Sequence, residues 1–485
     1  MTSYKVKTIK YNFIMNLILT VSNFLFPLMT FPYVSRVLQV EANGIVAYVS
    51  SIVSYFMMVA SLGIPTYGIR AAAKVRDDKQ KLSTLVQELL IINLILVLAV
   101  LAAFFTMIFT VPSMYIYKEL FFMNAVGIFL NVIGVGWFFQ AIEQYDYITI
   151  RSIFFRLLSV IMIFLLIHSP KDYILYGGIS IFSSVGSNIL NFKRLFKYIS
   201  FKKTETYHFI PHIKPILILF AQTLVVSIYT NLDTIMLGNI SGTYEVGLYT
   251  AATKLKGILL SVVTSLGNVL LPRMSYYVNN KMEKQFLEIM AKALNFTLFL
   301  SVPLSIFFVL VSKESILILA GERYLGAVVG MQLLTIAVIP NALTGVLGIQ
   351  VLTPLEKEKY VLFSVIAGAI IDFVLNLLFI PLFGATGAAF ATMIAEFIVL
   401  VVQIIYTKNL LREIKHQIVI TQYILAIFLG IIISLVFKQF ELNVFVSLFI
   451  QACLFFGGYL GILLYFRNPF IIEGYQVVKS KIVKK

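Results

Sequence analysis

Residues 361–407 read VLFSVIAGAIIDFVLNLLFIPLFGATGAAFATMIAEFIVLVVQIIYT. Two apolar runs, 361–382 and 386–407, meet at Pro381 and Gly384. Neither run holds a Lys or Arg, and each holds one carboxylate, Asp372 or Glu396. Each run has the length a helix needs to cross a bilayer, about 20 residues, whereas a spanning strand needs about 10. Inside hydrocarbon every backbone N–H and C=O must be bonded within the protein, so runs of this length read as transmembrane helices.

The same pattern extends along the chain. Apolar runs separated by charged or Gly/Pro-rich breaks fall at 11–34, 44–66, 85–111, 119–141, 149–168, 172–192, 214–237, 245–271, 286–311, 327–352, 361–382, 386–407, 418–437 and 443–466. The expectation is an all-α integral membrane protein of about fourteen transmembrane helices. Composition agrees: of 485 residues, 60% are hydrophobic and 12% charged, against about half and a quarter in soluble domains. The first apolar run is too long for the core of a cleavable signal peptide. Cys453 is the single cysteine, which leaves no disulfide framework. His168, His208, His212 and His416 are scattered, so no metal or other cofactor is expected.

A net charge of +16 raises nucleic acid as a partner, but the basic residues sit in short segments between spans. With the N-terminus inside, 29 of the 38 Lys and Arg residues fall in cytoplasmic segments or at the cytoplasmic ends of spans, 6 in outer segments (Arg36, Lys118, Lys171, Lys313, Arg323, Lys438) and 3 deeper within spans (Arg156, Lys254, Lys256). That bias is membrane topology rather than a nucleic-acid groove, and it places both termini in the cytoplasm.

An internal repeat is legible. Ser61-Leu62-Gly63 recurs as Ser265-Leu266-Gly267, and Arg70 and Arg273 follow at nearly the same offset. Asn131, Gln140 and Gly177 recur as Asn341, Gln350 and Gly387 at an offset of 210. Several coincidences near one offset indicate two six-helix lobes in parallel repeat, related by pseudo-two-fold symmetry. The expected organisation is an N-lobe over 1–200, a cytoplasmic linker over 201–213, a C-lobe over 214–410, and two further helices with a basic tail over 411–485. Two lobes suit alternating access. No GxxxxGK[ST] loop is present, so transport is expected to be driven by ions, potential or substrate gradient, without enzymatic chemistry.

Charges inside a membrane are costly and mark function. Lys254 in the eighth span, with Asp233 in the seventh as its expected partner, is a candidate for an anionic head group. Lys256 lies about 200° around the same helix and is expected to snorkel. Arg36, Arg70, Arg156 and Arg273 form a candidate cationic path. Asn131 and Gln140 suit sugar hydroxyls, and Asp372 and Glu396 are candidate ion carriers.

Particular stretches carry a family resemblance: Tyr33-Val34-Ser35-Arg36-Val37-Leu38, Trp137-Phe138-Phe139-Gln140-Ala141-Ile142-Glu143, Asn231-Leu232-Asp233-Thr234-Ile235-Met236-Leu237-Gly238, Gly247-Leu248-Tyr249 with Lys254, and Leu270-Leu271-Pro272-Arg273-Met274. Over nearly its whole length the chain resembles the Wzx-type oligosaccharide flippases of the multidrug/oligosaccharidyl-lipid/polysaccharide exporter superfamily. The resemblance implies two six-helix lobes plus two helices in a bacterial cytoplasmic membrane. It also implies passage of an undecaprenyl-pyrophosphate-linked oligosaccharide repeat unit between leaflets, for capsule or O-antigen-type polymers, with a polysaccharide polymerase and a chain-length regulator as partners. Two sister branches are the alternatives. Lipid II flippases carry arginines in the first two helices, where this chain has Asn16 and Asn23 and, of their cations, matches only Lys254. Cation and drug exporters lean on buried carboxylates.

Overall fold

The computed structural model describes residues 7–202, 206–265, 267–437 and 443–468. Lys5, Lys203, Leu266 and Lys438, and the tail with Lys479, Lys481, Lys484 and Lys485, lie outside the described residues. The described chain is helical, without strands. Twelve segments are long and apolar enough to span a membrane. Two of them, Tyr11–Val75 with 65 residues and Glu358–Gln417 with 60, are each long enough to cross twice. The first is broken at Gln39 (φ 64°, ψ −175°) and again at Leu62 and Gly63 (φ 41° and 71°), the second at Gly384 (φ 53°, ψ −128°). Gln39 and Gly384 fall where the apolar pattern separates the first span from the second and the eleventh from the twelfth.

The helices turn apolar side chains outward. Leu98, Phe109, Leu165, Leu382, Phe428 and Phe449 are all exposed, a surface that suits hydrocarbon and not water. A few helix ends are capped by side chains. The Asp78 carboxylate accepts from the backbone N–H of Lys81 at 3.1 Å and of Gln80 at 3.0 Å, which holds its carboxyl below the usual range. It thereby satisfies two orphan donors of the helix Lys79–Thr110.

The chain folds as two compact units, Met1–Gly247 and Leu248–Lys485. The first is built around Ile64, Leu82, Leu89, Trp137, Phe138 and Phe139. The second centres on Met274, Phe286, Met290, Val346, Leu347 and Val351. A further cluster gathers Tyr423, Tyr459 and Leu463 of the last two helices against Leu298. The segment from Lys313 to Leu325, between two apolar runs, is largely structured. It holds the helix Ser312–Leu319 and the 3-10 turn Glu322–Ala327.

The hairpin from Glu358 to Ile414 shows what a one-residue break demands. Gly384 takes a backbone conformation open to glycine and strained for other residues. Beyond it the second arm folds back so closely that a Cβ on Gly387 would stand 2.2 Å from the carbonyl oxygen of Phe379. Lower down, Gln403 Nε2 donates to Ser364 Oγ at 3.1 Å across the two arms. Gly177, the repeat counterpart of Gly387, is tight for a different reason: its Cβ would meet Leu120 Cδ1 at 2.3 Å, a side-chain methyl that can rotate away. Gly387→Ala therefore lowers the unfolding temperature of the detergent-purified protein more than Gly177→Ala does. Gly384→Ala costs about 1–3 kcal/mol, measured by the same thermal melts.

Candidate functional site

In the second unit, Lys256 on the helix Thr243–Thr264 reaches Glu396 on the second arm of the kinked hairpin. The Nζ–Oε1 distance is 3.0 Å, and the side chains are 16% and 2% exposed. Asn341, at the start of the tenth span's second half, donates its Nδ2 to the same Oε1 at 2.5 Å. One carboxylate oxygen thus accepts from both a cation and an amide, which compensates the loss of water. A second polar link lies two turns along: Tyr249 Oη and Thr392 Oγ1 are 3.0 Å apart, both buried. The two helices are therefore joined by a hydroxyl pair and an ion pair in register. Lys256 does not snorkel as expected, because a buried carboxylate stands within reach of its ammonium. Lys254, on the opposite face of the same helix, is exposed.

In the first unit, Asn131 donates to Ser61 Oγ at 3.0 Å and Ser61 in turn to Met57 O at 2.8 Å. The two repeat-related asparagines thus both bond a side-chain oxygen on a neighbouring helix, Ser61 in one case and Glu396 in the other. The stretch from Trp137 to Glu143 divides its labour. Trp137, Phe138 and Phe139 fill the core and Gln140 is half-buried. Glu143 accepts from Arg76 Nη1 at 2.6 Å and from Asn12 Nδ2 at 3.4 Å. Arg156 donates to Leu19 O at 3.4 Å and to Ser22 Oγ.

Another chain of polar groups ties three helices together. Glu88 Oε2 lies 2.9 Å from His212 Nε2, and His212 Nδ1 lies 2.7 Å from Tyr67 Oη. Glu88 Oε1 accepts from the backbone N–H of His208 at 2.6 Å. Sequence reading overlooked Glu88, although a carboxylate within an apolar run was itself the signal.

The remaining residues sort by sign. Asp233 and Asp372 are buried, as are Glu88 and Glu396. Arg36, Arg70, Lys254 and Arg273 are exposed. Arg36 donates to Pro32 O at 2.6 Å, and Arg273 Nε donates to Tyr277 Oη at 3.1 Å with the guanidinium 5.8 Å from that ring. Among these residues the four acids are enclosed within the fold, while the side chains of the four cations are accessible.

Comparison with known proteins follows the same lines. A family profile described as "Polysaccharide biosynthesis protein" matches residues 9–278, and a second, described as "MatE", matches residues 218–378. A protein of Escherichia coli named "Putative O-antigen transporter" is 24% identical over 392 residues, which are 80% of this chain and 94% of that one. Among solved structures, "Lipid II flippase MurJ, inward closed conformation" superposes with a TM-score of 0.70 at 15% identity, over 94% of this chain and 99% of that chain. A multidrug resistance MATE family transporter in an inward-facing conformation superposes at 0.64 and 13% identity, over 83% and 99%. These likenesses establish a common fold.

Removing one member of an enclosed ion pair strands the other, at a cost of about 3–5 kcal/mol, whereas replacing both by apolar residues is often neutral. Glu396→Ala lowers thermal stability in detergent by that order. The double variant Lys256→Met with Glu396→Leu recovers most of the loss in the same melts.

Proposed function

Because the chain belongs to the polysaccharide biosynthesis protein family, we propose that it is a flippase. Its cargo in this reading is an undecaprenyl-pyrophosphate-linked oligosaccharide repeat unit, moved across a bacterial cytoplasmic membrane by alternating access for capsule or O-antigen-type polymer synthesis. A sugar chain cannot cross hydrocarbon unaided, since each unpaired hydroxyl costs a few kcal/mol. A polar route lined by amides removes that cost, and the lipid tail stays in the bilayer.

The observation that carries the reading is the sorting of charge. Glu88, Asp233, Asp372 and Glu396 are buried, while Arg36, Arg70, Lys254 and Arg273 are exposed. A carrier of organic cations needs carboxylates at its binding surface, and a carrier of a diphosphate needs cations there. In this proposal Lys254 and Arg36 attract the diphosphate, Arg70 and Arg273 steer it, and Asn131 and Gln140 serve the sugars. Both termini are cytoplasmic, in accord with the excess of Lys and Arg on that side. Asp372 and Glu396 are the ion-coupling candidates. The polymerase and chain-length regulator of the same polymer are the proposed partners.

Depletion of the protein in its own host should cause a complete repeat unit to accumulate on undecaprenyl pyrophosphate, with loss of surface polymer. Extraction and sizing of lipid-linked oligosaccharides measures this, and normal surface polymer without accumulation would return the cation-exporter alternative. Lys254→Ala abolishes complementation of the depleted strain at unchanged expression. Full complementation by that variant removes Lys254 from the site.

A further inference from the structure

An open pocket of about 650 Å³ lies in the first unit, at the end where the second, third and seventh spans meet. Tyr67, Arg70 and Lys74 of the helix Ile64–Val75 line it, together with Lys214 of the helix Ile210–Ile240 and the apolar side chains of Leu85 and Ile218. Its lining contains three cations and no carboxylate. Among the described residues none of these three cations makes an ion pair. Three like charges around one cavity repel one another, and an anion in the cavity would turn that repulsion into attraction.

The walls are held in place independently of any ligand. His212 stands two residues before Lys214 on the same helix, and Tyr67 stands three before Arg70. The hydrogen-bonded chain Glu88–His212–Tyr67 therefore locks the two cation-bearing helices to each other and to the helix Lys79–Thr110, so the cations are positioned before a ligand arrives. The cavity is also amphiphilic. Leu85 and Ile218 form an apolar side, and Ile218 is exposed beside it, which suits an anion attached to a hydrocarbon chain better than a free ion.

We propose that this pocket is a binding site for the phosphate head group of a membrane lipid, with Arg70, Lys74 and Lys214 as its cationic contacts. Two lipids carry that chemistry: an anionic phospholipid of the surrounding leaflet, and an isoprenyl diphosphate. Only the second source rests on the flippase reading, and the site itself does not.

The test uses full-length protein in phosphatidylcholine nanodiscs, titrated separately with phosphatidylglycerol and with a short isoprenyl diphosphate. Bound lipid is counted by native mass spectrometry. The triple variant Arg70→Gln, Lys74→Gln, Lys214→Gln should lose on the order of 100-fold in affinity for the lipid that the wild type retains. The charge-conserving triple Arg70→Lys, Lys74→Arg, Lys214→Arg should bind within a few-fold of wild type, which separates loss of charge from loss of fold. Preference for the isoprenyl diphosphate assigns the site to cargo, and preference for phosphatidylglycerol assigns it to leaflet lipid. Equal binding of both lipids by wild type and the glutamine triple overturns the proposal. A failed depletion experiment would leave this binding untouched, so the two readings fail separately.

Discussion

Every backbone amide that enters hydrocarbon must find its partner inside the protein, and the rest of this molecule is arranged around that demand. It selects helices and sets their length. The breaks at Gln39 and Gly384 fall between apolar runs. That demand also makes each buried polar side chain depend on a near neighbour. Thr392 and Tyr249, Gln403 and Ser364, and Asn131 and Ser61 form cross-helix pairs of this kind.

The same demand divides the ionisable groups into two populations. Carboxylates placed within the fold act as structural anchors: Glu396 gathers Lys256 and Asn341, and Glu88 gathers His212 and the backbone of His208. Cations are held in place by backbone carbonyls, aromatic rings and hydroxyls, as with Arg36 on Pro32 and Arg273 on Tyr277. A carbonyl or a phenol orients a guanidinium without cancelling its charge. The charge of these cations thus stays available, while Glu88 and Glu396 are taken up by partners inside the fold.

The spans were legible because a run of 20 apolar residues is a long, redundant signal. The sites where two spans join were less so. Pro381 and Gly384 advertise a turn, whereas Gln39 carries no turn chemistry and yet takes a positive φ. Site residues were legible by type and illegible by pairing. Helical geometry places Lys254 and Lys256 on opposite faces, but it does not say which face is covered. The carboxylate that decides it, Glu396, lies 140 residues away in sequence. Asn341 stood out only through its repeat offset, and its role comes from the same carboxylate. The motif from Trp137 to Glu143 reads as one family marker, yet it contains core aromatics, a half-buried amide and half of an ion pair, three tasks that a linear pattern cannot separate.

The hairpin around Gly384 has a practical consequence. Two helices, each long enough to cross a bilayer, are joined there with Gly387 pressed against the Phe379 carbonyl, which leaves no slack chain between them. Proteases find nothing to cut at such a junction, antibodies find no epitope, and an affinity tag spliced into it would pry the arms apart. Reporters of sidedness have to be inserted at longer connections elsewhere in the chain.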